Sequence, residues 1–246
     1  MTVITLSRQL GGCGEEIAAG VAKKRSLRLV DVATINQAAE RAGVPTEALV
    51  ALGHEGERGL ANRVLTALRT MPSLQSMTSM SPARSGDTDA TSVEQSAMTM
   101  PFSGFFSPTA PPISASLESY VHMVGLVVRG LASEGDVLIV GRGGQVLLKN
   151  HPSAFHVQIV APSAFRIRVV NQRLGLDKKA AQNRVRDSDR ARSDYLRRYH
   201  DVNWLDSTLY HLVINTGRVS MDLAMDLVIS GSRAVAQSGD GTGVNG

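Results

Sequence analysis

The chain has 246 residues, 43% of them hydrophobic, which is enough for one α/β domain with a substantial core. Its single cysteine, Cys13, excludes an internal disulfide, and its six histidines lack metal-ligand spacing, so a zinc site is disfavoured. The net charge of +4 favours anionic partners, phosphorylated small molecules among them. The sequence shows neither a leader pattern nor an apolar run of membrane-spanning length, so we expect a cytoplasmic protein without a membrane partner.

The first predicted elements are a strand, a glycine turn and a helix. Residues 3–8 (VITLSR) have the β-branched and apolar side chains of a buried strand, and a helical pattern runs from Glu15 to about residue 25. Three glycines lie between them, Gly11, Gly12 and Gly14. Glycine backbone can approach an anion closely, and a helix N-terminus offers unpaired N–H groups. The full P-loop string is absent, because Glu15 and Glu16 stand where its lysine and its Ser or Thr are expected. A phosphate-binding loop and a tight turn without a ligand are therefore both open at this point.

The part of the chain between this turn and residue 113 divides into a patterned and an unpatterned segment. A short strand is predicted over 27–31, and helices are predicted over 35–42 and 46–68. Residues 71–112 are rich in Ser, Thr, Pro, Gly and Met and have no hydrophobic periodicity. A structureless loop of this length is uncommon within a compact domain. We therefore expect 71–112 to be a low-complexity, mobile insertion, outside the core of a single domain that spans 1–237.

Helices and strands alternate in the second half of the chain. Helices are predicted over 114–135, 162–174 and 177–200 and from about Ser220 onward, and strands over 136–140, 155–160 and 209–214. Residues 238–246 are predicted to be a disordered tail. This alternation is typical of a doubly wound parallel sheet, which binds ligands at the carboxyl ends of its strands. The glycine turn, Asp31, Arg142 and the loop 215–218 all fall at that edge.

The predicted helix 177–200 has an unusual composition. Asp177 is its expected N-cap, and six arginines follow: Arg184, Arg186, Arg190, Arg192, Arg197 and Arg198. Two interpretations are open: a solvated helix with i,i+4 ion pairs, or a lid whose guanidinium groups close over a polyphosphate. A glycine loop in the same chain favours the lid. Nucleic-acid binding is disfavoured, because no aromatic platform accompanies the arginines.

Three segments of the chain resemble the cytidylate kinase-like branch of the nucleoside monophosphate kinases. They are VLIVGRGGQVLLKNHPSAFHVQIVAP (137–162), DSDRARSDYLRRY (187–199) and YHLVINTGR (210–218), and the resemblance covers roughly 3–43 and 115–235. It implies a P-loop kinase-type three-layer α/β fold with a parallel sheet, a helical lid over 177–200 and a long flexible insertion. It also implies ATP-dependent transfer of a phosphoryl group to a nucleoside monophosphate, with Mg²⁺.

The same resemblance assigns residues to the donor side of the site and to the lid. The donor-phosphate loop would be formed by Gly11, Gly12 and Gly14. Arg8, at the mouth of the loop, could supply the cation that the missing lysine would provide, and Glu16 could be a ligand of Mg²⁺. No dedicated metal site is predicted. The catalytic residues of the lid would be Arg186, Arg190 and Arg192.

On the acceptor side, the resemblance implies that Arg142 holds the acceptor phosphate. Asp31 and Asp189 would be further substrate-binding residues. The acceptor pattern Asp-Ser-Gly-x-x-Tyr-Arg of the family appears here over 31–37 as DVATINQ, in which only the acid is kept. Trp204 is expected to anchor the chain after the lid rather than to stack on a base.

The predicted function is therefore that of a nucleotide-binding protein that transfers a phosphoryl group from ATP to a nucleoside monophosphate or a similar small acceptor. The alternative is a nucleotide-binding sensor or regulatory protein with little or no catalysis, because the P-loop lysine is missing. The sequence predicts neither the identity of the acceptor nor the oligomeric state.

Overall fold

The protein is described by a computed structural model, which covers residues 1–44 and 117–240. The predicted helix 46–68, the predicted insertion 71–112 and the last six residues of the predicted tail lie outside the described residues.

A parallel sheet of five strands forms the centre of the fold. The strands are β1 (Val3–Arg8), β2 (Arg28–Val30), β3 (Val137–Val140), β4 (Ala154–Val160) and β5 (Leu212–Asn215), and their order across the sheet is β2-β3-β1-β4-β5. In register, Val3 of β1 lies between Val137 of β3 and Ala154 of β4. The carboxyl end of β1, where the glycine turn begins, is therefore flanked by the carboxyl ends of both neighbouring strands.

Helices cover both faces of the sheet. They are α1 (Gly14–Arg25), α2 (Val32–Arg41), α3 (Leu117–Ser133), α4 (Gly144–Leu147), α5 (Ser163–Leu174), α6 (Lys178–His200) and α7 (Met221–Asp240). Because successive side chains of a strand point to opposite faces, Ile4 and Leu6 pack against α1 and α7, whereas Val3 packs against α2 and α3. The predicted three-layer α/β fold is confirmed. None of the described helices is long and apolar enough to cross a membrane.

The boundaries of several elements follow from side-chain caps. Asp31 accepts a hydrogen bond from the Thr34 backbone N–H at 2.7 Å, so α2 begins at Val32, ahead of the predicted residue 35. Asp177 caps α6 as predicted, and Ser220 caps α7, since its Oγ accepts from the Leu223 N–H. Helix α7 then runs to Asp240, past the residue at which the tail is predicted to begin.

The last strand differs from its prediction. Residues Ser207–Leu209 form a 3-10 turn, and β5 begins only at Leu212 instead of 209. The cause is again local, because the Asp206 carboxylate accepts from the Thr208 N–H at 2.9 Å and holds the chain in the turn.

Candidate functional site

The glycine loop connects the carboxyl end of β1 to the first turn of α1. Gly11 and Cys13 both have left-handed backbone, with φ of +77° and +60°. Gly12 N–H donates to the Gln9 carbonyl at 3.0 Å, which closes the turn. Within the described part of the chain, the N–H groups of Gly11 and Cys13 donate to no acceptor. Unpaired N–H groups on alternating backbone conformations form a concavity that suits an anion.

Neighbouring loops hold this turn in place. The Gln9 side-chain oxygen accepts from the Ala161 N–H at 3.0 Å, and the Thr216 hydroxyl donates to the Gly12 carbonyl at 2.9 Å. Gly11 packs against the backbone of α5 so closely that a Cβ at this position would lie 2.6 Å from the Arg166 carbonyl oxygen. Glycine is therefore the residue that fits there, and residues 11–14 of the loop are all buried.

Two arginines from other elements pair with the glutamates at the start of α1. Arg8 Nε lies 2.9 Å from Glu15 Oε1, and Arg173 Nη1 of α5 lies 2.5 Å from Glu16 Oε1. Arg173 Nη2 also lies 3.5 Å from the Cys13 sulfur. Burial raises the pKa of the Cys13 thiol, and Arg173 acts in the opposite direction. The thiol therefore stays protonated and is not an activated nucleophile.

Arg142 follows β3 on the other side of the loop. Its backbone is left-handed, with φ of +52°, and its side chain is only 8% exposed. Its Nη2 donates to Asn36 Oδ1 of α2 at 2.7 Å, while its Nε has no hydrogen-bond partner among residues 1–44 and 117–240. No carboxylate of the described residues pairs with this guanidinium. Burial lowers the pKa of Arg142, and the nearby Tyr195 acts in the opposite direction.

Of the three predicted lid residues, Arg192 is the one that lies toward Arg8 at the carboxyl end of β1, and we call the space between α6 and that strand end the cleft. Its guanidinium lies 6.0 Å from the Trp204 ring centroid, and its Nη1 donates to the Ser188 carbonyl at 3.1 Å. Burial, and then the nearby positive charge of Arg8, lower the pKa of Arg192 to about 10, while Glu15 acts in the opposite direction. Arg192 thus lies near both members of the Arg8–Glu15 pair.

The other predicted lid and acceptor residues have different surroundings. Arg186 and Arg190 lie on the exposed side of α6, and Arg186 Nε is 3.3 Å from its neighbour Asp187. Asp189 forms a two-point ion pair with Arg166 of α5, with N–O distances of 2.8 and 2.9 Å. The Asp31 carboxylate lies at the predicted edge of the sheet but caps α2, and hydrogen bonds from Thr34 lower its pKa.

The structure therefore brings part of the predicted site together. Arg8 and Arg192 lie beside the glycine loop, which is formed by Gly11, Gly12 and Gly14. Three residues that contact the predicted site were missed: Asn36, Arg166 and Arg173. The two arginines could have been predicted as site residues, because they lie seven residues apart on α5, which follows the carboxyl end of β4 at the ligand-binding edge of the sheet. No pattern distinguishes Asn36.

A buried hydrogen-bond network connects β1 to the segment that follows α6. Trp204 Nε1 donates to Ser7 Oγ at 2.9 Å, and the Tyr210 hydroxyl donates to the Trp204 carbonyl at 2.9 Å. Burial raises the pKa of Tyr210 to about 12, so its hydroxyl remains a donor. Trp204 is 2% exposed, which confirms that it anchors the chain after α6.

The described residues do not enclose a metal ion. No group of three or more His, Cys, Asp or Glu side chains comes together in the ranges 1–44 and 117–240. Glu16, the predicted ligand of Mg²⁺, pairs with Arg173. The described side chains would suit a metal ion that is bound through the phosphates of a nucleotide, and they do not supply a full set of protein ligands.

The parallel strand order, the glycine loop and the cations around it define a P-loop kinase-type α/β protein. The chain matches the model of the cytidylate kinase-like family over residues 3–218, and it belongs to that family. Membership confirms the resemblance read from the sequence and supports a nucleotide-binding, kinase-like function.

Three comparisons with individual proteins accompany this match. An uncharacterized protein from Eubacterium ventriosum ATCC 27560 has the same fold, with a TM-score of 0.57 and 17% identity over 95% of this chain and 99% of that chain. A shikimate kinase from Acinetobacter baumannii, solved with shikimate, gives a TM-score of 0.44 at 12% identity, over 97% and 94% of the two chains. A 97-residue segment is 31% identical to a uronate isomerase of Corynebacterium glutamicum, and it spans 39% of this chain but only 18% of that protein.

Proposed function

We propose that this protein transfers the γ-phosphoryl group of ATP, supplied with Mg²⁺, to a nucleoside monophosphate or a similar small phosphate acceptor. The observation that carries the proposal is Arg142, a buried guanidinium without a carboxylate partner among the described residues, at the carboxyl end of the strand next to the glycine loop.

A buried charge is unfavourable unless an opposite charge or a full set of hydrogen bonds compensates it. Among the described residues, Arg142 donates a side-chain hydrogen bond to the Asn36 oxygen, and its Nε is unpaired. A phosphate group would complete the set, because a guanidinium can donate to two phosphate oxygens at once. The chain thus keeps one anion position at Arg142 and a second at the glycine loop.

Arg8 connects the two positions in this proposal. Arg8 extends from the loop side toward β3, so that its Nη1 lies 3.2 Å from where a Cβ on Gly141 would be. Arg192 lies near Arg8 and faces the same cleft. In this proposal Arg8 and the glycine loop hold the donor, Arg142 holds the acceptor, and Arg192 meets the charge that spreads over the transferring oxygens.

The other predicted residues have less direct parts in the proposal. Arg186 and Arg190 would reach a bound phosphate only if α6 turned or moved, because they lie on its exposed side. Asp31 and Asp189 would bind the acceptor only through the oxygens that their present partners leave free. We therefore assign the first contact with the acceptor phosphate to Arg142.

The test combines calorimetric titration and a phosphoryl-transfer assay over a panel of nucleoside monophosphates, with and without Mg²⁺. Arg142→Ala should weaken acceptor binding by about 10- to 100-fold, the range for a lost charged hydrogen bond, and should leave ATP binding within about twofold. Arg168→Ala is the matched control, because Arg168 is an exposed arginine of α5 whose guanidinium lies over the Phe165 ring. If Arg142→Ala binds every acceptor as tightly as Arg168→Ala does, Arg142 is not the acceptor cation and the proposal is wrong.

A second function is favoured by one specific observation, the Arg8–Glu15 ion pair at the position of the missing lysine. A carboxylate there opposes bound phosphate, which suits a nucleotide sensor better than a fast kinase. Tight ATP binding without turnover on any acceptor of the panel would favour the sensor over the kinase.

A further inference from the structure

Arg173 forms an ion pair with the first turn of α1 from another helix. It belongs to the last turn of α5, 160 residues from the cysteine that it contacts. One of its terminal nitrogens pairs with Glu16, and the other lies 3.5 Å from the Cys13 sulfur. The guanidinium therefore lies against side chains of the glycine loop and of the first turn of α1.

The loop has no cation of its own. Residues 9–16 read QLGGCGEE and contain neither lysine nor arginine, and the position of the P-loop lysine is taken by Glu15. A lysine in that position would lie on α1 and reach the phosphates from the loop side. Here the positive charge comes from α5 and lies over the same helix start.

We propose that Arg173 binds the donor phosphates at the glycine loop and replaces the lysine that the loop lacks. This inference rests on the proposed function, because it names the residue that holds the donor of that reaction. Sequence spacing along the loop could not reveal it.

The pair with Glu16 leaves Arg173 available for a phosphate. Both side chains are about two-fifths exposed, 43% for Arg173 and 41% for Glu16, and ion pairs at such positions contribute little to stability. A guanidinium has five N–H donors, of which Glu16 takes one and the sulfur contacts a second. A phosphate carries more charge than a carboxylate and accepts two donors of the fork at once. The Arg173 guanidinium is thus held near the loop, and its remaining N–H groups can donate to a ligand.

The same arrangement is repeated on the other side of the loop. Arg8 gives its Nε to Glu15, and its Nη1 extends toward Gly141. Each glutamate at the start of α1 therefore keeps one arginine of another element beside the loop. The two pairs thus hold one guanidinium group at Glu15 and another at Glu16.

The test measures the binding of ATP and of inorganic triphosphate by calorimetry, at fixed salt, to the full chain and its variants. Arg173→Ala should bind both ligands about 10- to 100-fold more weakly, because one charged phosphate contact is lost. Arg173→Lys should retain part of the affinity, and the Arg168→Ala control, which removes the same charge from the same helix, should stay within about twofold of the wild type. In the Arg173→Ala background, Glu15→Lys places a cation on the loop itself and should recover most of the loss.

Two results would overturn the inference while leaving the proposed function standing. One is that the wild type binds ATP and Arg173→Ala binds it as tightly as Arg168→Ala does. The other is that Arg173→Ala weakens ATP but not triphosphate, since Arg173 would then contact the base or the ribose. If the wild type itself binds neither ligand, the proposed function is wrong, and this inference falls with it.

Discussion

The Arg166–Asp189 ion pair joins α6 to α5, and its removal tests how the lid helix is held against the body of the protein. Arg166 also donates its Nε to the Ala161 carbonyl at 3.1 Å, and its own carbonyl packs against Gly11. The pair therefore connects the lid helix to the strand end and the glycine loop. Asp189→Asn keeps the shape of the side chain and removes its charge, which leaves the Arg166 guanidinium without its counter-charge.

The expected size of the effect follows from burial. Breaking a fully buried pair by removing one partner lowers stability by about 3–5 kcal/mol. Arg166 is 7% exposed but Asp189 is 26% exposed, and an asparagine oxygen still accepts one hydrogen bond. We therefore expect the free energy of unfolding to fall by about 2–3 kcal/mol in Asp189→Asn.

The matched control lies on the same helix. Asp194 pairs with Arg197 at 3.0 Å, but the two side chains are 31% and 70% exposed. Asp194→Asn removes the same charge and should lower the free energy of unfolding by less than about 1 kcal/mol. The double variant Arg166→Met with Asp189→Leu should recover much of the loss, because no unpaired charge then remains.

Urea unfolding followed by the fluorescence of Trp204, the single tryptophan, measures all four proteins. Trp204 contacts α6 through Arg192, so its signal reports on this region. A loss in Asp189→Asn no larger than that in Asp194→Asn would refute the reasoning, since the pair would then behave as a surface pair. A full loss that persists in the double variant would show that packing rather than charge holds the lid helix.

Two further predictions concern stability. Burial lowers the pKa of His156 from 6.5 to about 4, so the folded state binds the proton less well than the unfolded state. The contribution of neutral His156 to the free energy of unfolding is therefore complete above pH 6.5 and is lost as the pH falls toward 4. The free energy of unfolding should therefore drop by about 2 kcal/mol between pH 7 and pH 5. Urea titrations at the two pH values should show a smaller drop for His156→Gln. An equally large drop in the variant would exclude His156 as its source. Gly11→Ala places a Cβ 2.6 Å from the Arg166 carbonyl oxygen at a φ of +77°. This substitution should lower the midpoint of thermal unfolding by several degrees and weaken ATP binding. An unchanged midpoint and affinity would show that the loop relaxes freely.

Local signals in the sequence determine most of the elements described here. The apolar runs of β1, β3 and β4, the glycines of the loop and the caps Asp177 and Ser220 act on backbone within a few residues, so they can be read without knowing the fold. The same signals misplace the start of β5, because the Asp206 cap outweighs the apolar character of residues 209–211. Strand alternation and the family motifs likewise lead to the parallel sheet and to its ligand-binding edge.

The distant partners of the charged side chains around the site were decided only by the tertiary structure. The sequence gives no reason to prefer one of the three predicted lid residues, Arg186, Arg190 and Arg192. Only Arg192 of these three faces the cleft, because α6 packs against Trp204 on that side. Arg173 meets Cys13 across 160 residues, and Asn36 meets Arg142 across 106. An arginine has the same local propensity whichever way it points, so its role depends on which distant element lies opposite it, and only the packing of the helices on the sheet decides that.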